Sequence, residues 1–347
     1  MPTTIIEVAR YARVAPSIVS RLLNADPKLH IRPETEARIR TAVALLKYQP
    51  NNAGRALRST KAAAVGLILP DVTNPVFAES VRGAESEAAN LGYVLLLGRT
   101  DDLDTQSSSY RRLIGERRID GVLVQVSNVL DSATMSKVID TRVPTVLINS
   151  RLEDIPGSVR INDEFAAYLA TAHLIDIGHR DIGMLAGPRG LYTSAQRQHG
   201  FEKAMKEAGL RVRRTWIVDG SYDVDTGQAA MKAMLRSPGH HPTAVFVTTL
   251  SAAVGALAVV HEGGMSVPGD ISIVGLHDFW FAEHTSPPLT TVRTPQFALG
   301  VAAMRVLADR INGAEPVDLV VDEPPPELVI RGSTAPLHAA GGSQGLA

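Results

Sequence analysis

The sequence predicts a small all-α N-terminal head joined to a larger α/β body of two doubly wound parallel sheets, and three observations carry that reading. With 347 residues, 45% hydrophobic and 20% charged, the chain has the composition of a soluble globular protein and exceeds what one core usually holds. Its net charge of −1 is unevenly spread: residues 1–61 carry eleven cations against four acids, or +7, which leaves −8 on the remainder. Near Ala62 the apolar pattern changes from helical spacing to short continuous runs between amphipathic stretches. A basic head on an acidic body is the asymmetry expected when only the head meets a polyanion.

In the head, Thr4 precedes IIEVARYA, with Ile5, Val8, Ala9 and Ala12 at helical spacing and Glu7 placed for a capping box. A turn at Arg13 and Val14 leads to PSIVSRLLN, which Pro16 opens; Ile18, Val19, Leu22 and Leu23 are available for burial, leaving Ser17, Ser20, Arg21 and Asn24 outward. The segment PETEARIRTAVALLKY, with its acids first and Lys47 last, predicts a third helix. Two helices across a tight turn, braced by a third, make a helix-turn-helix headpiece over residues 1–49. The cationic stretch over residues 50–60 follows Pro50 as a linker.

In the body, AVGLILP, YVLLLG, GVLVQV, TVLIN, DIGMLAG, TAVFVT and ISIVGL are apolar on both faces, as parallel strands covered by helices require. Helical stretches such as FAESVRGAESEAANLG, EFAAYLATAHLIDIG, QRQHGFEKAMKEAG and SAAVGALAVVHEGG separate them, each closing on Gly. The rhythm runs about four times before residue 160 and again after it, implying two sheets with a ligand cleft between them. The tail over residues 335–347 has little to bury and is expected to be disordered.

No run approaches the roughly 18 apolar residues of a spanning helix, and the N-terminus lacks the apolar stretch of a signal peptide. Zero cysteines exclude disulfides, thiolate metal sites and cysteine nucleophiles and permit a reducing cytosol, so a cytoplasmic location is expected. The sequence holds no GxxxxGK[ST] or HExxH motif, no GxSxG elbow following a strand (Gly341 to Gly345 match the letters only in the C-terminal tail), and no GxGxxG after its first strand. His240 and His241 lie in a Pro-flanked loop without further metal ligands nearby, and His277 with Asp278 has no nucleophile placed beside it; His173 and His179 read as helix and turn residues. Neither an enzyme nor a metal or cofactor site is expected.

The segments TIIEVARYARVAPSIVSRLLN, YQPNNAGRAL, LPDVTNPVFAE, LIDIGHRDIGMLAGP, RQHGF, VPGDISIVG, PPLTTV and ELVIRGST occur in the order found in the lac repressor family of bacterial transcription regulators, and the chain resembles that family from Thr4 to about Thr334. The resemblance implies a repressor-type DNA-binding regulator with a hinge helix and a body of the periplasmic-binding-protein type. It further implies interleaved subdomains, 61–161 plus 291–321 and 162–290 plus 322–334, with a small-molecule effector between them. One headpiece reads one half-site, so a homodimer on a palindromic operator is expected. No apolar heptads close the chain, which favours a dimer over a tetramer. A ligand-binding sensor without specific operator binding is the alternative; it leaves the basic head without a purpose.

By resemblance, Pro16 and Ser17 occupy the positions that most vary operator choice. Arg21 is the strongest base-reading candidate, because its planar fork can bridge the two guanine acceptors. Thr4, Ser20 and Asn24 suit phosphate positioning. In the linker, Leu57 matches a leucine that wedges into the minor groove, while Asn51, Ala53, Arg55 and Arg58 would approach the backbone or groove walls. Gly54, where the family commonly has alanine, costs roughly 1 kcal/mol in a helix. Arg13 replaces the usual turn glycine and Ala15 the usual N-cap serine, which weakens capping of the second helix by about 1 kcal/mol.

For the effector, the resemblance carries over Arg197 as a holder of hydroxyls or a carboxylate, with Thr193 one turn earlier. Asp71, Asn74 and Phe77 would line the opposite wall, and Tyr222 would stack on the ligand. Asn149 stands where aspartate is frequent, Thr249 and Leu250 replace an Asn-Asp pair, and His277 replaces an aspartate. Losing these groups while keeping Arg197 predicts a more cationic cleft, suited to a sugar acid or phosphorylated sugar.

Overall fold

The computed structural model describes residues 3–23, 26, 28–48, 62–99, 118–125, 143–152, 155–220, 222–237 and 239–337. The chain divides into two compact units, Met1–Ala62 and Ala63–Ala347.

The head contains α1 (Ile5–Ala12), α2 (Pro16–Leu23) and α3 (Pro33–Leu45). Thr4 Oγ1 accepts from the Glu7 amide and Glu7 Oε2 from the Thr4 amide, completing the expected capping box. Val8, Ala9, Ala12, Val19, Ile39 and Ala42 are buried together. α1 ends on Arg13 at φ 53°, and the Val14 amide donates to the Ala9 carbonyl at 3.0 Å. The third helix stops three residues short of the expected Tyr48. Lys47 turns left-handed at φ 46° and lets the Tyr48 amide reach the Val43 carbonyl, so Lys47 follows the helix instead of closing its last turn.

In the body, all seven expected strands form. The first half runs β1 (Ala64–Leu69), α4 (Ala78–Asn90), β2 (Val94–Arg99), β3 (Gly121–Val124), β4 (Thr145–Ile148) and β5 (Ser158–Ile161). The second runs α5 (Asp163–Asp176), β6 (Ile182–Leu185), α6 (Tyr192–Glu207), β7 (Ile217–Val218), α7 (Val224–Leu235), β8 (Ala244–Val247), α8 (Leu250–Glu262), β9 (Ser272–Leu276) and β10 (Thr290–Arg293). The chain closes with α9 (Gln296–Ile311), β11 (Asp318–Val321) and β12 (Glu327–Val329). One six-stranded sheet has the order β11-β5-β4-β3-β1-β2 and is parallel throughout. The other, β12-β10-β9-β8-β6-β7, is parallel except for β12, which runs against β10.

The chain passes between the sheets three times, after β5, after β10 and between β11 and β12. The second passage corrects the expected boundary at 290/291: Thr290, Thr291 and Val292 pair with β9 in the second sheet, so the change falls after Arg293. α9 then returns to the first sheet and packs on α4 through two glycines. A Cβ on Gly83 would stand 2.1 Å from the Phe297 carbonyl oxygen, and one on Gly300 2.0 Å from that of Ser80. The tail expected to be disordered from residue 335 is anchored as far as Leu337. The Ala335 amide donates to Ser272 Oγ at 3.2 Å and the Leu337 amide to the Ile177 carbonyl at 3.0 Å. Among the described residues no helix is long and apolar enough to cross a membrane.

Candidate DNA-reading face and effector cleft

On α2, one face closes the head core through Val19, with Ile18, Leu22 and Leu23 packed against it. Pro16, Ser17 and Arg21 lie on the exposed face, Ser20 is half-buried, and Thr4 is exposed beside the start of α1. Arg21 is anchored: Nε donates to Asp26 Oδ2 at 2.7 Å and Nη2 to the Lys28 carbonyl at 3.0 Å. Asn24 and the linker residues Asn51, Ala53, Gly54, Arg55, Leu57 and Arg58 lie outside the described residues.

Between the body sheets, a cavity of about 190 Å³ is lined by Asp71, Asn74 and Phe77 after β1, by Asn149 to Leu152 after β4, and by Tyr192, Thr193 and Tyr222 from the second subdomain. These segments follow the carboxyl ends of parallel strands, where open α/β sheets form ligand sites. Asp71 fixes its own loop by accepting from the Thr73 amide and hydroxyl, and Asn74 caps a short turn through the Val76 amide. Tyr222 Oη lies 2.7 Å from Thr193 Oγ1. Its ring packs where Gly187 leaves room; a Cβ there would approach the ring to 2.2 Å.

Arg197, Thr249 and His277 occupy a buried layer behind the lining. Arg197 Nε donates to Asp163 Oδ1 at 2.7 Å and Nη1 to the Thr248 carbonyl at 2.8 Å, while Nη2 lies 3.2 Å from His277 Nε2. Its guanidinium also lies 5.4 Å from the centre of the Tyr222 ring. His277 Nδ1 lies 2.8 Å from Thr294 Oγ1. Asp163 Oδ2 accepts from Asn149 Nδ2 at 3.0 Å, and Asn149 Oδ1 from the Ile161 amide at 3.1 Å. Thr249 caps α8 by accepting from the Ala252 amide and donates to the Tyr222 carbonyl. Leu250 is fully buried in the α7–α8 core. Asn149 and His277 both have left-handed backbones, φ 44° and 71°, strain of the kind that persists where surrounding contacts hold it.

This arrangement corrects the expectation of a cationic cleft. Asp163, in the first turn of α5, is fully buried against Arg197 and supplies the carboxylate that the exchanged positions lack. Burial opposes the Arg197 charge, yet Asp163 and Tyr222 hold its pKa above the ordinary arginine value. Burial and the adjacent Arg197 charge push the His277 imidazole well below its ordinary range, so it is neutral at physiological pH. The residues missed by sequence reasoning are Asp163, Thr294 and Gln296 in the buried layer and Gln125, Ser150, Arg151 and Tyr192 at the lining.

The four other histidines singled out in the sequence, His173, His179, His240 and His241, each meet a protein partner. His173 meets Thr334 Oγ1, and His179 contacts Thr243 Oγ1, Ser272 Oγ and the Ala335 carbonyl. His240 faces Asp181 at 3.3 Å, and His241 contacts the Pro242 carbonyl. Asp278 is taken by Thr291, Arg293 and Arg331. Among the described residues no group of three His, Cys, Asp or Glu is placed to hold a metal.

A helix-turn-helix head on a two-sheet, cleft-bearing body defines a ligand-responsive DNA-binding regulator. Residues 4–51 match the model of the bacterial regulatory proteins of the lacI family, and residues 171–334 that of a periplasmic binding protein-like domain. The chain is 33% identical over 336 residues to the HTH-type transcriptional repressor PurR of Photobacterium profundum, covering 96% of this chain and 99% of that protein. The solved lac repressor dimer bound to operator and the anti-inducer ONPF matches with a TM-score of 0.80 and 25% identity, over 96% of this chain and 100% of that one. The transcriptional regulator CelR in complex with cellobiose matches with a TM-score of 0.69 and 29% identity, over 95% and 99%. The chain belongs to the lacI family of bacterial regulatory proteins and is a DNA-binding transcriptional regulator.

Proposed function

We propose that the protein is a cytoplasmic repressor, not an enzyme, that binds a palindromic operator as a homodimer, with α2 in the major groove of each half-site. The observation that carries this is the exposed row Pro16, Ser17 and Arg21 on a helix whose other face closes the head core. The repressor name of the PurR relative and the operator-bound lac repressor dimer support the direction and the stoichiometry. Trp280, 75% exposed on the body, supports a partner subunit, since a large aromatic in water is an interface signal. Selection from a random duplex pool with the full chain, followed by gel shift against competitor DNA, tests the reading. A recovered palindrome is expected; no enriched sequence leaves only the sensor alternative. Replacing Trp280 with Glu is expected to shift the sedimenting species from dimer to monomer.

The effector we infer is a neutral single-ring compound rich in hydroxyl or amide groups. An acid has no free partner in Arg197, which Asp163 already occupies. Phe77, Tyr192 and Tyr222 supply ring faces, and the Gln125 amide at the lining can meet hydroxyl or amide groups. The cellobiose complex of a similar regulator supports the neutral class. A sugar acid or phosphorylated sugar keeps one support, Arg151 at the cavity, whose side chain is 61% exposed. Calorimetry with neutral sugars, nucleosides, sugar acids and sugar phosphates separates the two, and tight binding by an acid alone sinks the neutral reading.

A further inference from the structure

Arg21 is an exposed arginine on an exposed helix face, yet two of its three nitrogens are held by the loop that follows α2. Nε donates to Asp26 Oδ2 at 2.7 Å, and Nη2 donates to the Lys28 carbonyl at 3.0 Å. Asp26 is itself fixed from three directions. Its Oδ1 accepts from the Lys28 amide at 2.9 Å, its amide donates to the Arg21 carbonyl at 3.0 Å, and its carbonyl accepts from the Leu29 amide at 2.9 Å. The carboxylate therefore belongs to a closed turn and not to a freely rotating side chain.

A guanidinium has two edges that can grip a pair of acceptors, the side formed by Nε and Nη2 and the end formed by Nη1 and Nη2. Here the side edge is consumed by the loop, which leaves the end edge, Nη1 with the second hydrogen of Nη2. Two parallel N–H groups at that end match the O6 and N7 acceptors of guanine in the major groove. The same two N–H groups fit phosphate oxygens equally well, but Asp26 also places a negative charge beside Arg21, which discourages approach to the phosphate backbone. We propose that Asp26 is a specificity-determining positioning residue: it holds the side edge of Arg21 so that the end edge is presented to one guanine of each half-site, and it suppresses the use of Arg21 as a nonspecific phosphate contact. This rests on the operator-binding reading above, and on Arg21 as its base reader.

The prediction has opposite signs on two substrates. Operator discrimination is expected to fall when Asp26 is removed, because an unrestrained arginine must lose rotamer freedom on binding. Random-sequence affinity is expected to hold or rise, because an acid has been taken from a surface that faces a polyanion.

The test uses the full chain and the operator recovered by selection; if no operator is recovered, the regulator reading fails first and separately. Anisotropy titrations compare the operator, operators substituted at each base pair, and a random duplex, for Arg21→Ala, Asp26→Ala, Asp26→Asn, Asp26→Glu and the double Arg21→Ala/Asp26→Ala. Asp26→Asn retains an acceptor for the Lys28 amide and guards against a loop that fails to form. Expected is a loss of about tenfold in discrimination for both Asp26→Ala and Asp26→Asn, at the same G·C pair where Arg21→Ala loses it. The double variant should lose no more than Arg21→Ala alone, and Asp26→Glu should recover part of the loss. The proposal is overturned by unchanged discrimination in Asp26→Asn, by an equal loss on every duplex, or by an Arg21→Ala protein that discriminates as the parent does.

Discussion

Asp163 decides the chemistry of the cleft, and nothing in the sequence around it marks it for that role. It follows Asn162, the N-cap of α5, and an acid in the first turn of a helix is ordinarily read as a solvated partner of the helix dipole. Only the fold brings it against Arg197, 34 residues later, and against Asn149 in the other subdomain. Arg197 and Asn149 were legible as site residues because motifs flank them; their counter-charge was not, because its position depends on how the crossover after β5 is threaded. The pair is fully buried, so removing one member leaves an unpaired charge. Asp163→Ala is expected to cost about 3–5 kcal/mol in urea unfolding of the full chain. The double Asp163→Leu/Arg197→Met should cost less than the two single changes summed, and strict additivity would show that the two side chains do not act as a pair.

Among elements, six of the seven strands legible in the sequence are enclosed on both faces; β2 was legible from its apolar run although it is an edge strand exposed at Val94 and Leu97. The runs at β1, β3, β4, β6, β8 and β9 are buried along nearly their whole length, and their only polar residues are Thr145 and Ser272, each at the first position of its strand. β5 and β10 escaped notice because Ser158, Arg160, Thr290 and Thr291 are buried by virtue of specific partners, and burial of polar groups leaves no periodic trace. β11 escaped for the opposite reason, as an edge strand exposed along most of its length. In the head, the start of α1 was legible from its capping box, but α3 ends three residues before the expected Tyr48. Arg13 adopts the left-handed conformation that glycine adopts at no steric cost, and a side chain there costs about 1–2 kcal/mol. Glycine gives back part of that through its freer unfolded chain. Arg13→Gly is therefore expected to stabilise the head by about 0.5–1 kcal/mol, read as slower amide exchange across α1 in the full chain. Faster exchange would mean that the Arg13 side chain stabilises the turn by more than its backbone costs.

At the scale of the molecule, charge is divided between a +7 head and a −8 body, yet the first response to acid is set by neutral groups. His173, His179 and His277 are all buried in the body, and burial lowers the pKa of each below its ordinary 6.5; at His277 the charge of Arg197 lowers it further. The native body then binds fewer protons than the unfolded chain once the pH drops below about 6.5. Stability must fall in that window, by at most about 1.4 kcal/mol per pH unit for each group, and the fall stops only when the native imidazoles themselves titrate. The carboxylates Glu87 and Asp278 act later. Arg305 holds the first below its ordinary range; for the second, burial is outweighed by bonds from Thr291, Arg293 and Arg331. Their stabilisation is lost only as pH falls through the carboxylate range, below about 4.5. The midpoint of urea unfolding of the full chain is thus expected to drop between pH 7 and pH 5.5, before any carboxylate is protonated. His277→Gln preserves an acceptor for Arg197 while removing one of the three titrations, so it should make that limb shallower without abolishing folding at pH 7.5. A parent whose midpoint is level from pH 7 to 5.5 would mean that its histidines are protonated in the native body, and the neutral His277 acceptor for Arg197 would fall with it.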